Sequence, residues 1–251
     1  MELFKTITLD SVDSTNNYAK TLPVDPDNTR PVVVITDNQT AGRGQRGNSW
    51  ESEPGANLTF SLVVYPRWMS PARQFELSML VSLGIINGLR AYVDNPEWLK
   101  IKWPNDIYFG NRKLAGILIE NSVSEQCIER SIIGIGLNIN QKEFCSDAPN
   151  PISLCHVTGF DVNRDSVLNN VVENIIDMLE SYADNPEPDE LCALYDKLLW
   201  RNDGEYYEWI EPDGRVIEAR IESVDVDGRL HLQLADGSSK SYLFKEIAYV
   251  L

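Results

Sequence analysis

The sequence predicts an α+β protein, with a mixed body over residues 1–203 and a small all-β module over residues 204–251. Three observations predict it. β-Branched runs such as Pro31 to Thr36 read as buried strands, and they alternate with helix-compatible stretches through the body. Phe75, Met79, Leu83, Ile86 and Leu89 recur at helical spacing, the mark of a helix packing one face into a core. From Gly204 onward the texture changes: Asp-Gly pairs at 213–214, 227–228 and 236–237 separate short alternating runs such as Leu230 to Leu234. Asp-Gly between alternating segments signals a β-hairpin.

Taken in order, Asp13 to Lys20 reads as a helix start with Asp13 or Ser14 as its cap. A polar glycine-rich loop from Gln39 to Gly55 separates the strand at Pro31 to Thr36 from a second at Ala56 to Tyr65. Ser70-Pro71 opens the apolar-striped helix, with serine as cap and proline at the first helical position. Trp98 to Ile119 reads as two strands about a turn at Gly110-Asn111, and Ser131 to Asn140 as a further strand. Val167 to Tyr182 and Glu190 to Trp200 read as amphipathic helices.

Composition narrows function. A chain of 251 residues carries one sizeable core, or a main domain with an appendage. No apolar run approaches the ~18 residues needed to cross a membrane. Met1 to Asp10 lacks the pattern of a secretory signal, so a cytoplasmic protein is expected. Four cysteines with no C-x-x-C pair, and two distant histidines, argue against a zinc site, a disulfide scaffold and a Cys-His pair. A formal net charge of −16 disfavours general nucleic-acid binding and makes the positions of the few cations informative.

Gly42-Arg43-Gly44-Gln45-Arg46-Gly47 matches the dinucleotide fingerprint literally. The fingerprint requires a helix directly after the glycines, whereas Asn48 to Gly55 leads into a strand, so the match is rejected. What remains is two arginines among glycines, suited to carboxylate or phosphate oxygens but equally readable as an exposed loop. Lys102, Asp106 and Lys113 would converge in a hairpin interrupted by Pro104, as a site or as ordinary hairpin chemistry. Gly134 and Gly136 weaken an apolar strand unless a ligand or another part of the chain lies against them.

Together and in order, these segments resemble the biotin protein ligases. The motifs are Ser14-Thr15-Asn16, Gln39 to Gly44 leading to Trp50, Lys102 to Asp106, Arg112 to Leu118 and Gly134 to Asn138. The resemblance implies a mixed-sheet catalytic domain of the biotin/lipoate ligase, class II synthetase-like type, with a C-terminal SH3-like barrel. It implies ATP with Mg2+ as cofactors, biotin as the acid, and biotinyl-5′-AMP as the intermediate. The partner it implies is the biotin carrier domain of a carboxylase such as acetyl-CoA carboxylase. By position, Lys113 should bind the biotin carboxylate, and Arg43 should engage carboxylate and phosphate oxygens. Ser14, Thr15 and Gln39 would meet the ureido end, Trp50 would cover the adenylate, and Lys102 and Asn138 would take triphosphate and magnesium. Asp106 would orient or deprotonate the incoming amine. Asn16, Gly42, Gly44, Gln45, Arg46, Asn105, Gly116 and Gly136 complete the implied binding set.

Two departures stand out. Many members carry Arg-Gly-Arg where this chain has Arg43-Gly44-Gln45, and Asn48 replaces a further arginine. Retention of the adenylate then falls to Arg46 or is weaker, and Arg46→Ala is expected to release it faster. The motifs also begin at Ser14, so a DNA-binding repressor module is not expected. The family's pairing through sheet edges leaves a homodimer as an option. Rival readings are a lipoate or octanoate protein ligase, and a non-catalytic module binding an acyl-adenylate or carrier.

Overall fold

The computed structural model describes residues 3–24, 30–44, 49–145 and 149–250. Seven strands form a mixed sheet: β1 (Lys5–Val12), β2 (Val32–Gln39), β3 (Leu58–Val64), β4 (Leu99–Lys102), β5 (Asp106–Phe109), β6 (Arg112–Val123) and β7 (Ile128–Leu137). Their order is β1-β2-β3-β7-β6-β5-β4. Only β1 and β2 pair in parallel; the other neighbours are antiparallel. β3 is buried along its whole length, because neighbours flank it on both sides and packing covers it above and below.

Five helices complete the body: α1 (Thr15–Thr21), α2 (Gln74–Leu89), α3 (Leu154–Thr158), α4 (Arg164–Asp184) and α5 (Pro188–Leu198). The striped helix differs from expectation in two ways. Pro71–Arg73 forms a separate 3-10 turn ahead of it, and the Ser70 side chain makes no capping bond. Nor is only one face of α2 buried: Leu77, Met79, Leu80, Val81, Ile85 and Ile86 are all inaccessible. α4 presses so close that a Cβ on Gly84 or Gly88 would lie 2.7 Å from the Cα of Ile175 or Val171. A helix covered on several sides needs no polar face.

The region Trp98 to Ile119 holds three strands rather than two. Gly110, at φ +57°, supplies the expected turn between β5 and β6. The missed reversal lies at Trp103 to Asn105, between β4 and β5, where the Trp103–Pro104 peptide is cis. Strands of four residues are too short to show a period, which is why this pair read as one.

The terminal segment forms a second, antiparallel sheet of β8 (Tyr207–Ile210), β9 (Val216–Val224), β10 (Leu230–Leu234), β11 (Ser239–Tyr242) and β12 (Ala248–Tyr249). The three Asp-Gly turns fall where expected, with Gly214, Gly228 and Gly237 at φ +84°, +87° and +85°. This second sheet is consistent with an SH3-like module. Its apolar residues Trp209, Ile221 and Leu232 continue the core of the body. Hydrogen bonds fasten it there as well: Trp103 Nε1 donates to the Gly228 carbonyl at 3.1 Å, Val224 N donates to Asp196 Oδ1 at 3.0 Å, and Arg201 Nη1 donates to the Val250 carbonyl at 2.8 Å. Among the described residues no helix is long and apolar enough to cross a membrane.

Candidate active site

The middle of the large sheet is the floor of a cavity of about 490 Å³. β3, β6 and β7 supply the floor through Thr59, Phe60, Gly116, Ile117, Gly134 and Gly136. Ser14, Thr15, Asn16, Gln39, Arg43, Gly44, Trp50, Lys102, Asn105, Asp106 and Lys113 all line it, so the sequence-predicted set converges on one place.

The start of α1 forms a neutral, hydrogen-bonding wall. Ser14 stands at the N-cap position with an extended backbone, but its side chain makes no capping bond, and Asp13 instead accepts from Asn17 Nδ2 at 2.6 Å. An unpaired N–H at a helix start needs an acceptor. Gln39 provides it, its Oε1 accepting from Thr15 N at 3.0 Å. Asn16 lies over Gly134, where a Cβ would come within 2.5 Å of Asn16 Oδ1. The strand glycine is therefore explained by a side chain of α1.

The rejected fingerprint is not followed by a helix. Arg43 and Ser49 form an antiparallel bridge, and Trp50 N donates back to the Gly42 carbonyl at 3.0 Å. Trp50 then lies over the sheet, and a Cβ on Gly136 would overlap its indole, while one on Gly116 would lie 3.0 Å from it. Gly42 is crowded likewise, with Gln39 Nε2 at 2.8 Å from a Cβ there. Gln45, Arg46, Gly47 and Asn48 lie outside the described residues.

The cations are held differently. Lys113 Nζ pairs with Asp106 Oδ1 at 2.8 Å and stands 5.7 Å from the Trp50 ring. Lys102 makes no ion pair among the described residues; it sits 5.2–5.9 Å from the rings of Tyr108, Trp200 and Tyr249. Burial holds its ammonium below the ordinary lysine range, with Asp106 opposing that shift. Arg43 donates to Asn17 Oδ1 at 2.7 Å and lies 3.6 Å from Glu120 Oε2. Asn105 ties the reversal to β6 through the Ile117 backbone.

Gly42 is not among the lining residues, and neither is Asn138. Asn138 is buried; its Nδ2 donates to the Ile152 carbonyl at 3.1 Å, so it works as a strut for the segment before α3. One buried amide oxygen is far short of the oxygen set that holds magnesium. No group of three His, Cys, Asp or Glu suited to a metal occurs among the described residues. The described residues do not form a resident magnesium site.

The sequence reading missed one wall altogether. Phe244, Lys245, Ile247, Ala248 and Tyr249 of the terminal segment line the same cavity. Phe244 meets Trp103 edge-on at 6.1 Å, and Tyr249 reaches the Lys102 cage. The available signal was weak: aromatic residues beside a lysine at the end of an acidic chain.

The sequence model of the biotin/lipoate A/B protein ligase family matches residues 8–138. A bifunctional ligase/repressor of Bacillus spizizenii is 32% identical over 145 residues, covering 56% of this chain and 43% of that protein. A biotin–[acetyl-CoA-carboxylase] ligase of Paracoccus denitrificans is 35% identical over 127 residues, 51% of each chain. The chain thus aligns with about half, or less, of the length of these curated relatives. A biotin protein ligase from Aquifex aeolicus, solved in complex with biotin and ATP, superposes with a TM-score of 0.78 at 26% identity and 97% coverage of both chains.

Proposed function

The chain belongs to the biotin/lipoate A/B protein ligase family, and from that premise we propose that it activates biotin with ATP and transfers it to a carrier-domain lysine. A biotin carboxylate oxygen attacks the α-phosphorus of ATP, forming biotinyl-5′-AMP as pyrophosphate leaves. The acceptor amine then attacks the acyl carbon of the anhydride. AMP leaves and the amine gives up a proton. Magnesium enters with the nucleotide as part of the substrate.

The observation that carries this reading is one cavity joining a neutral hydrogen-bonding wall to four cationic side chains, Arg43, Lys102, Lys113 and Lys245. The first step brings two anions together, and cations in a poorly solvated site offset that repulsion far better than water does. Lys113 takes the carboxylate, and Lys102 the phosphates. Arg43 exchanges Asn17 and Glu120 for ligand oxygens. Asp106, released from Lys113 as that lysine turns to the substrate, receives the amine proton, which requires an approach of about 3 Å. Residues 204–251 act as a second domain closing one side of the cavity. The Aquifex aeolicus structure, with biotin and ATP bound, supports the substrate pair.

One assay tests all of this. The protein is incubated with Mg-ATP, a carboxylase carrier domain, and either biotin or lipoate, and the carrier is weighed. A mass gain with biotin alone supports the proposal. Gain with lipoate alone makes the chain a lipoate ligase, and no gain with either makes it a binding module.

A further inference from the structure

Ser61 lies in the middle of β3, fully buried, and does not line the cavity. Its hydroxyl nevertheless touches two residues that do: Thr15 Oγ1 at 2.8 Å and Asn16 Oδ1 at 2.6 Å. A hydroxyl has one hydrogen to give and lone pairs to receive, so the direction of these two bonds is decided by their neighbours. Asn16 decides it. Its Nδ2 donates to Glu120 Oε2 at 2.8 Å and to the Leu118 carbonyl at 3.3 Å, both of which can only accept. Lys20 holds the other oxygen of the same carboxylate at 2.7 Å. The amide is thereby oriented with Oδ1 towards Ser61, and Ser61 must spend its hydrogen on Asn16.

The consequence passes on to Thr15. With the Ser61 hydrogen committed, the 2.8 Å contact is made by Thr15 donating to Ser61. The alternative acceptor for that hydrogen, Gln39 Oε1, is farther away at 3.4 Å. Thr15 then has its hydrogen turned inward and a lone pair left for the cavity. Gln39 is arranged in the complementary sense, because its Oε1 already accepts from Thr15 N and its Nε2 remains a donor.

We infer that Ser61, anchored through Asn16 by Glu120, is a positioning and specificity-determining residue that makes the Thr15 hydroxyl an obligatory acceptor for a ring N–H of the bound acid. This rests on the biotin reading above, since biotin's ureido ring offers such N–H donors and lipoate's dithiolane offers none. A site whose buried polar groups face one way rejects a ligand that cannot answer them. Glu120 is the lesser of the two, because the Leu118 carbonyl still orients Asn16 without it.

The test is calorimetric titration of the whole protein, without ATP, with biotin and with an analogue in which one ureido N–H is replaced by a ring oxygen. Both isomers of that cyclic carbamate are used. Wild type should prefer biotin over one isomer strongly. Ser61→Ala frees the Thr15 hydroxyl to rotate and donate, so this preference should fall about tenfold. Ser61→Cys, which keeps the volume with a weak donor, should fall between. A ratio of affinities within one protein is insensitive to the fraction folded, so a merely structural loss leaves it unchanged. Wild-type discrimination retained in both variants overturns the inference. A wild type that binds neither compound sinks the biotin reading itself, and the inference with it.

Discussion

The two walls of the cavity are built on different principles. On the body's wall nearly every polar group is bonded to another: Thr15 to Gln39 and Ser61, Asn16 to Glu120, Lys113 to Asp106. The terminal wall offers faces rather than bonds, with Phe244 against Trp103 and Tyr249 against the Lys102 ammonium. A wall of interlocked hydrogen bonds discriminates between ligands by the position of single hydrogens. A wall of rings confines charge and excludes water without asking much of its occupant. On the proposed function, recognition of the acid would belong to the body, and handling of the nucleotide's charge would be shared with the terminal sheet.

The largest effect should come from the Lys113–Asp106 ion pair of the body's wall. Lys113→Met removes the cation proposed for the carboxylate and leaves Asp106 without its 2.8 Å partner. Biotin-dependent pyrophosphate release should show kcat/KM lowered by about 10³-fold. A loss under tenfold would remove Lys113 from the chemistry. Next comes Thr15→Val, which keeps the shape and deletes the acceptor. KM for biotin should rise about 10- to 100-fold with KM for ATP within about twofold. Equal weakening of both substrates would mean that the walls do not divide the work.

Tyr249→Leu probes the terminal wall and should be milder. It strips one of three rings from around Lys102, and a cation–ring contact accounts for about 3- to 5-fold in binding. The expected result is a rise of that size in KM for ATP, with biotin unaffected. An unchanged KM for ATP would make Tyr249 only a packing residue of the sheet.

How far each wall was legible follows from the same contrast. The body's wall is made of local pieces. A hairpin register sets Lys102 opposite Asp106, and glycines in an apolar strand announce that something lies on them, here Asn16 and Trp50. The terminal wall joins residues near 100 to residues near 245, and no periodicity or spacing encodes a contact across that separation. Ser61 gave no sign either, because one serine in an apolar strand looks incidental until its two partners are seen. Asn138 entered the binding set through the resemblance alone; in the fold its amide donates to the Ile152 carbonyl and it lines no part of the cavity. The helix α2 shows the same limit for packing, since a stripe reveals the first face a helix buries and not the second.

The smallest effect tests whether the terminal wall is fixed in place. Asp196, on α5, accepts from Val224 N of β9, and there burial, reinforced by Asp225, pushes its carboxyl up from 3.8 to about 6. That backbone bond and His231, which pairs with Asp225 at 2.7 Å, pull the other way. A carboxyl with its native value raised binds its proton more tightly folded than unfolded. Its stabilising contribution is thus complete below the unfolded value and is lost as pH rises through about 6. Asp196→Asn keeps an oxygen for Val224 and removes the charge, so urea unfolding at pH 8 should show a gain of about 1 kcal/mol after allowance for solvent screening. The gain should shrink towards zero near pH 4. A gain of equal size at both pH values would show that the junction between α5 and the terminal sheet does not feel this charge. The second wall would then be held by its apolar contacts alone.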